Sequence, residues 1–250
     1  MIDVHSLTVR FGGVVSLDDM EVSFPGGICG LIGPNGAGKT TFFNVMSGFV
    51  TPAAGRIDCD GVDLLAMADF ERARWGLRRT FQTEQAIEGM SVYENVLTVQ
   101  EHTGKGGASA REAVEKALEF AHLSDVAGSA VRTLPAKERR FIEVARAVVG
   151  SPKVVMLDEP AAGLPDEEST ELTQIIKGIP DHSGAMVILV DHDMTLVQNV
   201  CTWTAVLDFG RLLASGPTAE VLLDPDVLAA YLGTDDVDES QDGDTVRADG

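Results

Sequence analysis

Cationic side chains are scarce. Lys and Arg number 19 against 39 Asp and Glu in 250 residues, a formal net charge of −20. That balance argues against nonspecific nucleic-acid binding and direct attraction to anionic lipid, and leaves room only for a small basic patch. Long apolar runs are missing too. None exceeds the six residues of Ala185 to Val190, far short of the ~20 that a bilayer-spanning helix needs. No charged-then-apolar leader opens the chain, so a cytoplasmic polypeptide is expected. Cysteine is confined to Cys29, Cys59 and Cys201, odd in number and too dispersed for a metal or redox motif. Ordinary reduced thiols are therefore expected. The apolar share is still 44%, enough for a real core, and the length suits one large domain or a core with a subdomain.

What is present centres on Gly33-Pro34-Asn35-Gly36-Ala37-Gly38-Lys39-Thr40-Thr41. This is a phosphate-loop pattern: Gly, four residues, then Gly-Lys-Thr. Glycines at 33, 36 and 38 let the backbone bend tightly and approach a ligand without a Cβ in the way. Successive N–H groups of Asn35, Gly36, Ala37, Gly38 and Thr41 can then line an anion nest. A helix over 39–47 adds its positive end. Lys39 is placed to reach β- and γ-phosphates, and Thr40 to bind magnesium. Ile28 to Ile32, short, apolar and bounded by glycine, predicts a buried strand leading in.

Alternation of Ile2, Val4, Leu7 and Val9 predicts a half-buried strand, and Val14 to Phe24 a second, joined by a turn at Phe11-Gly12-Gly13. Phe11 is a candidate nucleobase platform or else a core ring. Residues 56–61 predict a hairpin, 69–75 a short helix, and 77–81 a strand ending at Gln82. From 83 to 133 helical patterns dominate. Ser109 with Glu112 makes a capping box ahead of an apolar face of Val114, Ala117, Leu118 and Ala121. Helices are also predicted at 137–149 and from 166 to about 177, and a last helix starts at Asp224-Pro225. From Thr234 onward the chain is acidic and nearly free of apolar residues, and disorder is expected. Strands alternating with helices give an α/β fold.

Two continuous apolar strands carry the remaining chemistry. Val154 to Leu157 ends in Asp158-Glu159, and Ala185 to Val190 ends in Asp191-His192-Asp193. Open α/β sheets bind ligands at that edge. Asp158 suits a magnesium contact. Glu159 is positioned to be the general base for an attacking water. His192 is a candidate to contact the γ-phosphate or orient that water. The Gln82 amide is a candidate magnesium ligand that reports nucleotide state to a partner.

Together these segments resemble the ATP-binding subunit of an ABC transporter, closest to the ATPases of importers for branched-chain amino acids, urea or short amides. The resemblance runs from about residue 3 to 233. It rests on the phosphate loop, on Val154 to Glu159, on Arg79-Thr80-Phe81-Gln82 with Met90 to Val96, on Ala161 to Leu164, on Asp191 to Met194, and on Val206 to Ala214 with Ala229 to Gly233. It implies a P-loop NTPase core with a mostly parallel sheet over 1–84 and 135–233. It also implies an antiparallel β subdomain at the N-terminus and an α-helical subdomain over 85–134. ATP and magnesium are the implied cofactors. Implied partners are a second ABC ATPase subunit, expected to be a different chain, and transmembrane permease subunits holding this chain on the inner face of the membrane. A solute-binding protein would act indirectly, and no nucleic acid is implied.

One departure is large. Where the family signature reads Leu-Ser-Gly-Gly-Gln, or Leu-Ser-Tyr-Gly-Gln, this chain has Leu134-Pro135-Ala136-Lys137-Glu138. The hydroxyl and the small glycines are lost, and Pro135 has no N–H. Pro165 stands where Asp or Asn is usual. Two readings follow: an energising ATPase, favoured by Lys39, Asp158, Glu159 and His192, or a weakly hydrolysing regulatory half of an asymmetric pair, favoured by 134–138.

Overall fold

The computed structural model describes residues 1–104 and 107–238, with side chains described as far as Tyr231. The elements follow in the order β1 (Ile2–Phe11), β2 (Val14–Phe24), β3 (Ile28–Ile32), α1 (Lys39–Ser47), β4 (Ala54–Cys59), β5 (Val62–Asp63), α2 (Asp69–Trp75) and β6 (Leu77–Arg79). Then come α3 (Val92–Thr103), α4 (Ala108–Phe120), α5 (Ala136–Val148), β7 (Val154–Asp158), α6 (Asp166–Ser183), β8 (Met186–Val190) and α7 (Met194–Val200). β9 (Trp203–Asp208), β10 (Arg211–Pro217), α8 (Thr218–Val221) and α9 (Pro225–Asp238) complete the described chain.

Six strands form the central sheet in the order β10-β9-β3-β8-β7-β6. All neighbours are parallel except β10, which pairs antiparallel with β9. β3, β7 and β8 are buried along their whole length, as continuous apolar runs require when helices or a second layer cover both faces. Alternation across the pleat splits them between two cores. Ile28, Ile32, Val155, Leu157, Val187 and Leu189 face the cluster built with α3 to α6. Cys29, Leu31, Val154, Met156, Ile188 and Val190 face the cluster shared with α1 and the second sheet. That second sheet is antiparallel, in the order β2-β1-β4-β5. The α/β class with an antiparallel N-terminal sheet is as the sequence predicts. Cys29, Cys59 and Cys201 are free and buried.

Three local expectations are corrected. α4 starts at Ala108 with Gly107 at its N-cap, so Ser109 lies in the first turn and does not cap. α6 does not stop near 177 but continues through Gly178 and Pro180 to Ser183. An interior proline costs about 3 kcal/mol. Ile179, in the added turn, is buried on the same face as Leu172, Ile175 and Ile176, and its burial, at about 1.5–3 kcal/mol, offsets much of that cost. α9 reaches Asp238, so helix extends past Thr234; residues 239–250 of the acidic tail lie outside the described residues.

Candidate functional site

Strand β3 delivers the chain into the Gly33–Thr41 loop, and α1 begins at Lys39 as the spacing predicts. Two glycines are forced by close approach. A Cβ at Gly33 would lie 2.1 Å from Leu207 O, and one at Gly38 would lie 2.7 Å from Ser16 O. The loop is thus wedged between β9 and β2. No side chain caps α1, and its first turn holds no acid, which leaves the open N–H groups and the positive end of the helix to an incoming anion. Lys39 Nζ donates to Gly33 O at 2.5 Å and to Pro34 O at 2.9 Å. Burial pushes its pKa down, while the charges of Glu159 and Asp158 push it up. Thr41 Oγ1 is 2.7 Å from Ser16 Oγ. A cavity of about 300 Å³ opens here, lined among others by Asn35, Lys39, Thr40, Thr41, Gln82 and Glu159.

The acids arrive from the sheet's carboxyl edge. Asp158 closes β7, buried, with its Oδ2 accepting from Arg79 Nη2 at 2.8 Å. The next residue leaves the strand abruptly. Glu159 has φ 45°, rare for a residue with a side chain, and its N–H donates to Val190 O at 2.8 Å. That turn aims Glu159 back over the loop, where Gln82 Nε2 donates to its Oε2 at 2.9 Å. His192 Nδ1 stands 3.8 Å from the same oxygen, beyond hydrogen-bond length, with its side chain 72% exposed. The structure therefore brings Gln82, Glu159 and His192 together at the mouth of the phosphate loop. Asp191 beside them is buried, which raises its pKa, and Oδ1 accepts the Asp193 N–H at 2.9 Å.

Phe11 ends β1 at the hairpin tip and is 51% exposed. It is not a core ring, and it does not line the 300 Å³ cavity. Asp158 does not line that cavity either; it sits beneath Glu159 against Arg79. Two participants escape the sequence patterns. Arg79 holds Asp158, and its signal is a charged residue inside an otherwise apolar strand run. The phenol of Tyr231 on α9 is buried, which pushes it up to about 12, and the backbone of Gly33 acts on it in the opposite sense. Sequence spacing carries no sign of a contact so remote along the chain.

The 134–138 stretch opens α5, with Pro135 at its N-cap and no side-chain capping bond. Lys137 does not project freely. Its Nζ lies 2.5 Å from Glu171 Oε2 and 5.4 Å from the centroid of the Phe141 ring.

The donor set fits a magnesium nucleotide. Among the described residues no group of three or more His, Cys, Asp or Glu side chains could cage a metal ion. A threonine hydroxyl, one amide and one carboxylate suit an ion that completes its shell with phosphates and water.

A wedged phosphate loop, an uncapped helix start, and an acid, amide and imidazole set at the sheet's carboxyl edge define a nucleotide-hydrolysing cassette. Residues 17–162 match the ABC transporter family, and the chain belongs to it, as an ATP-binding subunit with ATPase chemistry. Residues 211–237 match the family described as branched-chain amino acid ATP-binding cassette transporter. The chain is 35% identical to the high-affinity branched-chain amino acid transport ATP-binding protein BraF of Pseudomonas aeruginosa, across 93% of this chain and 98% of the relative. It is 34% identical to the lipopolysaccharide export system ATP-binding protein LptB of Escherichia coli strain K12, across 92% and 96%. Among solved structures, the ADP conformation of MJ1267, an ATP-binding cassette of an ABC transporter, superposes with a TM-score of 0.81 at 26% identity, covering 93% of this chain and 98% of that one. A regulatory, weakly hydrolysing role gains no support from these relatives.

Proposed function

We propose that this chain hydrolyses ATP to energise an importer of branched-chain amino acids or related small polar solutes. The observation that carries hydrolysis is the Gln82–Glu159 contact at 2.9 Å over the phosphate loop. The match of residues 211–237 supports the solute class. On this reading Lys39 exchanges the Gly33 and Pro34 carbonyls for phosphate oxygens. Asn35, Gly36, Ala37, Gly38 and the Thr41 N–H cradle the phosphates, and Phe11 stacks on the base. Thr40, Gln82 and Asp158 would hold magnesium, which supplies charge neutralisation at the transferring phosphoryl group. Glu159 takes a proton from the attacking water, and His192 orients that water or the γ-phosphate.

Residues 1–84 and 135–233 act as the nucleotide-binding core, and 85–134 as a helical subdomain that docks on permease subunits. No helix among the described residues is long and apolar enough to cross a membrane, so attachment to the inner face runs through those subunits. The second ATPase chain supplies an ordinary signature to this chain's pocket. Co-purification with the membrane subunits, followed by ATPase assay with solute-loaded binding protein, tests the reading. Stimulation by leucine, isoleucine or valine is expected. Stimulation by an unrelated solute alone would overturn the solute assignment.

A further inference from the structure

Arg79 is a buried cation held by polar partners and by two aromatic rings, with only its Nε lacking a hydrogen-bond partner. Its side chain is 6% exposed, and its partner Asp158 is 7% exposed. Nη2 donates to Asp158 Oδ2 at 2.8 Å, and Nη1 donates to Asn44 Oδ1 at 2.7 Å and Ser47 Oγ at 3.4 Å on α1. The guanidinium carbon lies 5.3 Å from the centroid of the Phe43 ring and 4.8 Å from that of Phe81. Phe81 in turn stacks at 6.1 Å on Phe49, which is 59% exposed. The next residue after Phe81 is Gln82, which holds Glu159. Between Arg79 and Phe81, Thr80 Oγ1 accepts the Asp158 N–H at 3.1 Å.

The segment 79–82 therefore grips both acids. Arg79 and Thr80 fix the backbone and carboxylate of Asp158, and Gln82 fixes Glu159. A planar guanidinium can do this where an ammonium cannot. It offers separate N–H groups in one plane to α1 and to Asp158, with its faces left for aromatic rings. A buried pair of this kind is not justified by stability alone, since desolvation offsets most of the attraction. Its value lies in geometry. The pair engages Oδ2 of Asp158 and so fixes the orientation of its carboxylate at the carboxyl end of β7.

We propose that Arg79 is the positioning residue for Asp158, clamped by Phe43 and Phe81 so that the carboxylate is held ready for a divalent cation. The proposal rests on the reading of Asp158 as the metal carboxylate.

The test separates positioning from charge. Arg79→Lys keeps the charge and loses the plane; Phe81→Leu removes one ring of the clamp; Asp158→Asn removes the carboxylate. Two affinities are measured on the full chain: fluorescent ATP analogue binding in EDTA, and Mn²⁺ binding in the presence of ATP, read from the free-Mn²⁺ electron paramagnetic resonance signal. Arg79→Lys is expected to leave the first within about threefold and to weaken Mn²⁺ binding about tenfold, with Phe81→Leu intermediate. Mn²⁺ affinity unchanged or tighter in both variants would overturn the proposal. So would a parallel loss of metal-free nucleotide binding, which marks a purely structural role. If Asp158→Asn leaves Mn²⁺ affinity intact, the metal assignment itself fails. If Asp158→Asn abolishes it while Arg79→Lys and Phe81→Leu do not, only the role of Arg79 falls.

Discussion

Lys137 is tied to Glu171 at 2.5 Å, and the other oxygen of that carboxylate lies 2.8 Å from His122 Nδ1. The hydrogen bond to Glu171 raises the Lys137 pKa, and the ammonium is directed at α6 of its own chain. In that position it does not replace the donors missing from 134–138. The chain on its own is therefore expected to hydrolyse ATP poorly. Loss of one preorganised donor costs roughly 10²–10³ in rate, and several are absent. Restoring Ser, Gly, Gly and Gln at 135–138 in the isolated chain should raise ATPase activity by at least that order. Brisk hydrolysis by the unaltered chain, no faster after restoration, would rule this out.

Glu159→Gln is expected to retain ATP and lose turnover. Removal of a positioned general base typically costs about 10²–10⁴ in rate. The glutamine keeps an oxygen for the Gln82 amide, so the local fold persists. Pre-steady-state trapping of bound nucleotide in the assembled transporter is the measurement, and unaltered turnover there would remove Glu159 from the role.

Lys39→Ala is expected to abolish tight ATP binding while leaving the melting temperature of the free protein near that of the parent. Each charge-assisted bond is worth about 1.5–3 kcal/mol. Without its bonds to the β- and γ-phosphates, binding should weaken on the order of a hundredfold or more by titration calorimetry, given that magnitude for each. An unchanged affinity would dissolve the phosphate-loop assignment.

Stability should fall on the alkaline side through the thiols. Burial pushes Cys59 and Cys201 up from 9.0 to about 12. A pKa raised in the folded state means the unfolded chain ionises first. Stability is then complete below about pH 9 and declines as pH rises towards 12, at about 1.4 kcal/mol per pH unit for each such thiol. Urea melts between pH 8 and 11 check the slope, and Cys59→Ala with Cys201→Ala should flatten it. Rapid labelling of the native protein by a thiol reagent at pH 8 would contradict the burial behind it.

Local rules read much of this chain well. The strand at 28–32 and the helix at 39–47 are legible because glycines, apolar runs and Lys-Thr coincide within a short stretch. Asp158, Glu159 and His192 are legible because each ends a continuous apolar strand. What escapes depends on contacts between distant segments. Pro180 sits inside α6, where the buried side chain of Ile179 offsets a backbone preference. Arg79 finds Asp158 across 79 positions of chain. Tyr231 meets Gly33 only because α9 returns to the phosphate loop. None of these leaves a local pattern.

The strand order also constrains synthesis. β3 lies between β8 and β9, so the strand carrying the phosphate loop has no sheet neighbour until residues beyond 186 exist. Such long-range pairing is slow, because loop closure precedes its reward. A chain still emerging from the ribosome carries Lys39 long before Glu159 or His192 can stand opposite it. The nascent polypeptide therefore carries the strand that leads into Gly33–Thr41 without a sheet partner until β8, which starts at Met186, has been made.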